Sequence, residues 1–331
     1  MRFGLVGAGR IAQTYAQALS VSPRARLHAV ADIRPDAAKA LAEAAGCMSF
    51  DSHRAMAAEA NIEAAIVCTP PASHPEICID LVRCGLHVLC EKPFSIHSGD
   101  ATRMVDEARK AGTVITMASK FRYVEDVIRA RSIVESGSLG EIVLFENAFT
   151  SSVDMVNRWN SDPAISGGGV LIDNGTHSLD LARYFLGPLV DLQVAEGKRC
   201  QPLRVEDTVR VFVRSRSGVI GHIDLSWSIN KSQDTYVGIY GRAGTVLVGW
   251  KQSRLLLFSD REWQVIGQGY DKVQAFSAQI DNLARSLQDG ERLLIDADDA
   301  VASVEAVEAA YAALQHGQWT TIGNGNREHH R

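Results

Sequence analysis

The sequence runs to 331 residues, 46% of them apolar and 22% charged, with 39 Asp and Glu against 34 Lys and Arg for a formal charge of −5. It is long enough for about two domains with sizeable cores, too apolar for a disordered chain, and lacks the ~20-residue apolar run that a membrane-spanning helix needs. Mild acidity with no local basic patch argues against nucleic acid as a partner, because phosphates demand a basic face.

The first 120 residues alternate short apolar runs with helical patterns. Runs at 3–6, 27–31, 64–68, 87–90 and 114–117 read as strands buried on both faces. Pro35 stands at a first helical position, ahead of a helix over 37–45 that Gly46 ends. Ser73 and Glu76 have capping-box spacing for a helix ending near Gly85, and Ser98 precedes a helix over 101–111 that stops at Gly112. Strand and helix in this rhythm predict parallel strands with right-handed crossovers, an α/β doubly wound Rossmann sheet.

A helix over 124–135, closed by Gly137 and Gly140, ends that rhythm. Long strands follow at 141–149, 205–213 and 219–229, the last two joined across Ser217-Gly218. Hairpins pair 235–240 with 245–250 and 255–258 with 263–266. Successive hairpins build a large, mainly antiparallel open sheet, so the second part reads as an α+β domain. Amphipathic helices over 273–287 and 297–314 pack on a domain face, and the polar tail 324–331 reads as frayed. The expected division is residues 1–120 for the first domain and 121–331 for the second.

Six cysteines (Cys47, Cys68, Cys78, Cys84, Cys90 and Cys200) include no C-x-x-C arrangement. A disulfide framework or zinc site needs tighter, repeated spacing, so they read as small buried hydrophobes of a reducing compartment. Arg10 interrupts the apolar start and no small-residue cleavage site follows, so no signal peptide is read and a cytoplasmic location is expected. Asp296, Asp298 and Asp299 read as the acidic first turn of a helix. His97, His222, His329 and His330 lack a metal-ligand pattern, and no metal is expected.

Gly7-Ala8-Gly9-Arg10-Ile11-Ala12 follows the first strand and opens the first helix, giving G-x-G-x-x-A. Gly7 permits the tight turn, Gly9 admits a pyrophosphate near the backbone, and Ala12 keeps the helix close to the sheet. Asp32 ends the second strand, where an acid meets the adenosine ribose hydroxyls or caps the helix after Pro35. A carboxylate there favours NAD, while Arg34 keeps NADP open, because a guanidinium binds the extra phosphate.

Asp173 and His177, four apart on a helix, share one face. They form either an acid/base pair on one substrate hydroxyl or a cap followed by a partly buried histidine. The three glycines 167–169 ahead of them bring backbone close to a ligand or form a flexible loop. Asn157, Arg158 and Trp159 offer an aromatic with polar neighbours that suits a sugar ring, although Trp159 equally suits a core. Tyr236 and Asp234, on a strand edge, are further candidates.

Two further stretches are Cys90-Glu91-Lys92-Pro93-Phe94 and Gly167-Gly168-Gly169-Val170-Leu171-Ile172-Asp173-Asn174-Gly175-Thr176-His177. With the N-terminal fingerprint they resemble the glucose-fructose oxidoreductase/inositol dehydrogenase/MocA family of NAD(P)-dependent sugar and polyol dehydrogenases. Thr69-Pro70-Pro71 with His74, and Arg122-Tyr123 ahead of Gly137-Ser138-Leu139-Gly140-Glu141-Ile142, are similar to that family as well. The resemblance implies a cis Lys92-Pro93 bond with Lys92 near nicotinamide and substrate, and a catalytic set of Lys92, Asp173 and His177. It places Thr69, Pro70, His74 and Glu91 with the cofactor and Arg122 and Tyr123 with the substrate, where Asn157, Arg158 and Trp159 are candidates on their own chemistry. It further implies reversible oxidation of a secondary alcohol on a sugar, sugar derivative or cyclic polyol, in dimers or tetramers formed through the antiparallel sheet. Two rivals share the same equipment: an NAD-dependent, redox-assisted glycosidase and a non-catalytic dinucleotide-dependent regulator.

Overall fold

The structure, a computed structural model, describes residues 1–323. It forms two compact units, Met1–Tyr123 with Asp271–Val304, and Val124–Tyr270 with the residues from 305 on.

The first unit carries β1 (Arg2–Val6), α1 (Arg10–Val21), β2 (Arg26–Ala31), α2 (Pro35–Ala45), β3 (Met48–Phe50), α3 (His53–Glu59), β4 (Ala64–Val67), α4 (His74–Arg83), β5 (His87–Glu91), α5 (Ser98–Ala111) and β6 (Ile115–Ala118). Its six strands are all parallel, in the order β3-β2-β1-β4-β5-β6. Every residue of β4 and β6 is buried, as strands covered by crossover helices on both faces require. Pro35 opens α2, and Gly46 and Gly112 end α2 and α5 in the left-handed region. The capping box expected at Ser73 does not form. That residue lies in the 3-10 turn Pro71–Ser73 with helical backbone, and its Oγ meets Thr69 Oγ1 (2.8 Å) and the Pro70 carbonyl (2.8 Å) instead.

The second unit carries α6 (Glu125–Glu135), β7 (Ile142–Thr150), α7 (Pro163–Ser166), α8 (Val170–Leu186), β8 (Leu189–Glu196), β9 (Thr208–Ser215), β10 (Ile220–Ser226), β11 (Thr235–Gly241), β12 (Gly244–Gly249), β13 (Ser253–Leu257) and β14 (Trp263–Gly267). In chain order there follow α9 (Lys272–Asp289), in the first unit, α10 (Ala297–His316), divided between the two at residue 305, and β15 (Thr320–Thr321), in the second. A nine-stranded sheet results, in the order β14-β13-β12-β11-β7-β10-β9-β8-β15. Its neighbours are antiparallel except β7 and β10, which run parallel. The face carrying Phe145, Phe149, Val211, Val213 and Ile223 is buried, and α8 lies against β7, β8, β9 and β10.

Residues 271–304, assigned from the sequence to the second domain, belong to the first unit. The reason is apolar. Phe276, Ile280 and Leu283 of α9 bury among Phe3, Leu5, Tyr15 and Leu19, while Ile295, Ala300 and Val301 join the core around Val67, Leu81 and Met104. The cysteines also divide: Cys68, Cys78 and Cys90 are buried as expected of small hydrophobes, but Cys84 and Cys200 are exposed. The tail 324–331, expected to fray, lies outside the described residues.

Candidate active site

The turn between β1 and α1 separates two glycine requirements. Gly7 has φ +97°, and a Cβ there would lie 2.9 Å from the Cys68 carbonyl oxygen, so the fold itself demands glycine. Gly9 has ordinary extended backbone, and a Cβ there would meet no protein atom within 4 Å. The chain's own packing gives no reason for glycine at that point. A phosphate against the start of α1 does, because Gly9 is the N-cap and no side chain caps the helix. Ala12 is fully buried and lets α1 approach the sheet, while Arg10 is exposed and Ile11 partly exposed.

Asp32 does not cap α2, whose N-cap is Arg34. Its Oδ2 accepts the Ala8 N–H (2.7 Å), and its Oδ1 accepts the Arg34 N–H (2.8 Å) and Nε (3.2 Å). Burial acts to raise this carboxyl, but the Arg34 guanidinium and the two backbone donors outweigh it and hold Asp32 below the usual carboxylate range. The carboxylate therefore ties the glycine turn to the end of β2. A loop with an uncapped helix start, an open glycine and an anchored acid fits a dinucleotide.

The Lys92–Pro93 bond is cis. Glu91 holds the chain before it: Oε1 accepts the Tyr15 hydroxyl (2.6 Å), Oε2 accepts the Lys92 N–H (3.1 Å), and Gln279 donates to the Tyr15 oxygen (3.0 Å). Burial pushes the Glu91 carboxyl up, against the lowering effects of Tyr15, Lys92 and Lys120. His74 is fully buried, with Nδ1 3.0 Å from the Pro93 carbonyl and Nε2 2.8 Å from the Thr69 carbonyl. It is a positioning residue joining the loop after β4 to the turn after Lys92, and burial lowers its proton affinity. Thr69 is partly buried and Pro70 exposed in that loop.

Arg122 and Tyr123, expected to meet substrate, are structural. Each is 4% exposed. The Arg122 guanidinium pairs with Asp299 (3.0 Å) and donates to the Leu294 carbonyl (3.2 Å), and the Tyr123 hydroxyl donates to Asn282 (3.1 Å). The Asp299 carboxylate thus has a partner beyond its own helix turn.

In the second unit, Asp173 and His177 both lie on α8, Asp173 partly exposed and His177 5% exposed. Two of the three glycines before them are required by the chain's own packing. A Cβ at Gly168 would fall 1.8 Å from the Tyr311 hydroxyl, and one at Gly169 2.1 Å from the Glu206 carbonyl. Glu206, 5% exposed, explains this closeness. Its Oε1 accepts the N–H groups of Gly169 and Leu171 (3.0 Å each) and the Tyr311 hydroxyl (2.8 Å), while its carbonyl accepts the Val170 N–H (3.0 Å). One buried carboxylate therefore serves the orphan donors that begin α8. Burial nonetheless pushes the Glu206 carboxyl up. Sequence reading missed Glu206 and Tyr311, although the glycine run was their visible trace.

The His177 ring stands edge-on to Phe149 (6.5 Å between centroids), and Phe149 lies 5.7 Å from Tyr236 and 5.9 Å from Trp250. Trp159 is 44% exposed, so it is not core; it opens the 3-10 turn Trp159–Ser161, beside partly exposed Arg158. Asn157 is exposed with φ +63°, a left-handed position that asparagine tolerates. Among the described residues, no group of three or more His, Cys, Asp or Glu is placed to hold a metal ion, and no helix is long and apolar enough to cross a membrane.

Profile comparison matches residues 1–119 to the oxidoreductase family with NAD-binding Rossmann fold, GFO_IDH_MocA, and residues 127–247 to the GFO/IDH/MocA C-terminal domain. The chain belongs to the GFO/IDH/MocA oxidoreductase family. Myo-inositol 2-dehydrogenase of Thermotoga maritima is 26% identical over 272 residues, 79% of each chain. D-glucoside 3-dehydrogenase of Escherichia coli is 35% identical over 191 residues, 56% of this chain and 54% of that one. Among solved structures, levoglucosan dehydrogenase in complex with NADH and levoglucosan superposes with a TM-score of 0.91 at 19% identity, covering 97% of this chain and 99% of that one, a likeness of fold. The chain is an NAD(P)-dependent oxidoreductase of this family.

Proposed function

We propose that the protein oxidises a secondary alcohol of a sugar, sugar derivative or cyclic polyol, reversibly, with NAD in preference to NADP. The observation that carries this reading is the Asp173/His177 pair on one face of α8, whose first turn a buried carboxylate holds in place. Bound NAD supplies a hydride acceptor. The Gly7–Gly9 turn and the start of α1 hold its phosphates, and Asp32 meets the adenosine ribose. His177 accepts the hydroxyl proton. Lys92 donates a hydrogen bond to the same oxygen and offsets its negative charge as the carbonyl forms, and Asp173 orients the reacting hydroxyl. Names of relatives that act on inositol, glucosides and levoglucosan support this substrate class.

The test is formation of NADH across a panel of monosaccharides, glycosides and inositols. Steady NADH formation with at least one supports the reading. Redox-neutral hydrolysis of a glycoside, or binding of NAD without turnover of any member, overturns it.

A further inference from the structure

A cavity of about 520 Å³ opens at the end of the second unit's sheet, where β7 finishes, β11 starts and β12 gives way to Trp250. That volume lies within the roughly 300–1,000 Å³ usual for small-molecule sites. Its lining combines Thr150, Ser151, Asn230, Asp234 and Lys251 with Trp250, which is 38% exposed. The Trp250 backbone N–H donates to the Asp234 backbone carbonyl (2.9 Å), which holds the two main-chain segments of the lining together. Hydroxyls, an amide, one carboxylate and one ammonium around a single aromatic face are wrong for a lipid, which needs apolar walls, and for a phosphate, which needs clustered cations. They suit a sugar ring, whose C–H face lies on an indole while its hydroxyl edge is hydrogen-bonded. One cavity residue, Trp250, is linked to His177 through Phe149, whose ring packs against both (5.9 and 6.5 Å between centroids).

We propose that this cavity is a subsite for a second sugar ring, so that the preferred substrates are glycosides or disaccharides with one ring oxidised beside His177 and the next seated on Trp250. The inference rests on the sugar-oxidation reading for its first ring but not for the binding of the second. Trp250 supplies the platform, and Asp234 and Asn230 supply hydrogen bonds to ring hydroxyls.

Two measurements separate the inference from that reading. In the first, kcat/KM with NAD is compared for D-glucose, methyl β-D-glucoside, cellobiose and maltose. The full chain should prefer at least one disaccharide over D-glucose by tenfold or more. Trp250→Ala should shrink this ratio at least tenfold through KM, and Asp234→Ala, which leaves the aromatic cluster in place, should shrink it in the same direction. In the second, saturation-transfer NMR with cellobiose and maltose in the presence of NADH reads binding without turnover. Signals from one disaccharide that vanish in Trp250→Ala support the subsite even if no sugar is oxidised. A ratio unchanged by both substitutions, or disaccharide signals that persist in both variants, overturns it. So does equal loss on one-ring and two-ring sugars, which is the signature of a merely structural Trp250.

Discussion

In the reaction proposed above, His177 takes the hydroxyl proton and Lys92 steadies the oxygen it leaves. A neutral imidazole accepts a proton through a ring nitrogen, and an ammonium donates hydrogen bonds to an oxygen that gains negative charge. Removing a positioned acid/base group costs about 10²–10⁴-fold in rate. Lys92→Ala and His177→Ala should therefore each lower kcat by two or more orders of magnitude while NADH titration fluorescence shows cofactor affinity changed less than threefold. A Lys92→Ala enzyme with normal turnover would remove Lys92 from the mechanism. At the same carboxyl end of the first unit's parallel strands, just beyond β2, Asp32 is an ionised carboxylate anchored by Ala8 and Arg34. An anion there repels the additional phosphate of NADP, and the Arg34 side chain is already turned onto Asp32. Calorimetric titration should give NAD a dissociation constant at least tenfold below that of NADP, and Asp32→Ala should narrow the gap; tighter binding of NADP by the unaltered chain would contradict this. Arg122 shows where residue-scale reading stops. Its partner Asp299 stands 177 positions away in sequence, so a buried structural arginine and a substrate-binding one look alike until the chain is folded.

At the scale of elements, what the sequence revealed depended on how far the deciding interaction reached. Gly46 and Gly112 end their helices through local backbone conformation, so both stops were legible. The hairpins were legible for the same reason: β11 with β12, and β13 with β14, pair across a few residues. The strand β3 and helix α3 were not read, being three and seven residues long and too short for a periodicity to develop. Nor was β8 read as a strand, since its alternation is weak and its last residues are exposed. The placement of α9 depends on distant Tyr15 and Phe3, which no local pattern encodes. Glu206 belongs to the same class, meeting α8 and Tyr311 from outside both helices. Deleting it leaves buried donors without an acceptor, a loss of about 1–3 kcal/mol, so Glu206→Ala should melt several degrees lower and turn over more slowly through its effect on α8. Glu206→Gln keeps the shape and removes the titration. Because burial raises this carboxyl in the folded chain, the stability it contributes is complete below its unfolded pKa, about 4.3, and is lost as pH rises through the folded value. The melting-temperature gap between the native chain and Glu206→Gln should therefore move in favour of the glutamine variant between pH 4 and pH 7. A gap independent of pH would show that Glu206 does not titrate across that range.

At the scale of the whole molecule, the second face of the nine-stranded sheet carries exposed apolar side chains. Side chains alternate across a strand, so the register alone assigns Phe212, His222, Glu146, Gly238, Leu247, Arg254 and Val265 to one row on the face opposite Phe145 and Ile223. The row beside it runs through Ile220, Leu144, Tyr240, Thr245, Leu256 and Trp263. Phe212 is 38% exposed, Trp263 43%, Ile220 51% and Val265 55%, and they are interspersed with the ion pairs that Asp224 makes with Arg210 and Lys231. Apolar side chains that recur across a broad sheet face, rather than scattered singly, mark an association surface. We propose that two copies meet through it, which for a stable pair means burying more than about 1,000 Å². Light scattering at micromolar concentration should then return a multiple of 35.9 kDa. Ile220→Asp, placed on an exposed position that contributes little to the chain's own core, should shift that mass toward 35.9 kDa while leaving the melting of the monomer's helices in place. A native chain that scatters as a monomer at that concentration would leave the face to solvent and remove the association from the account.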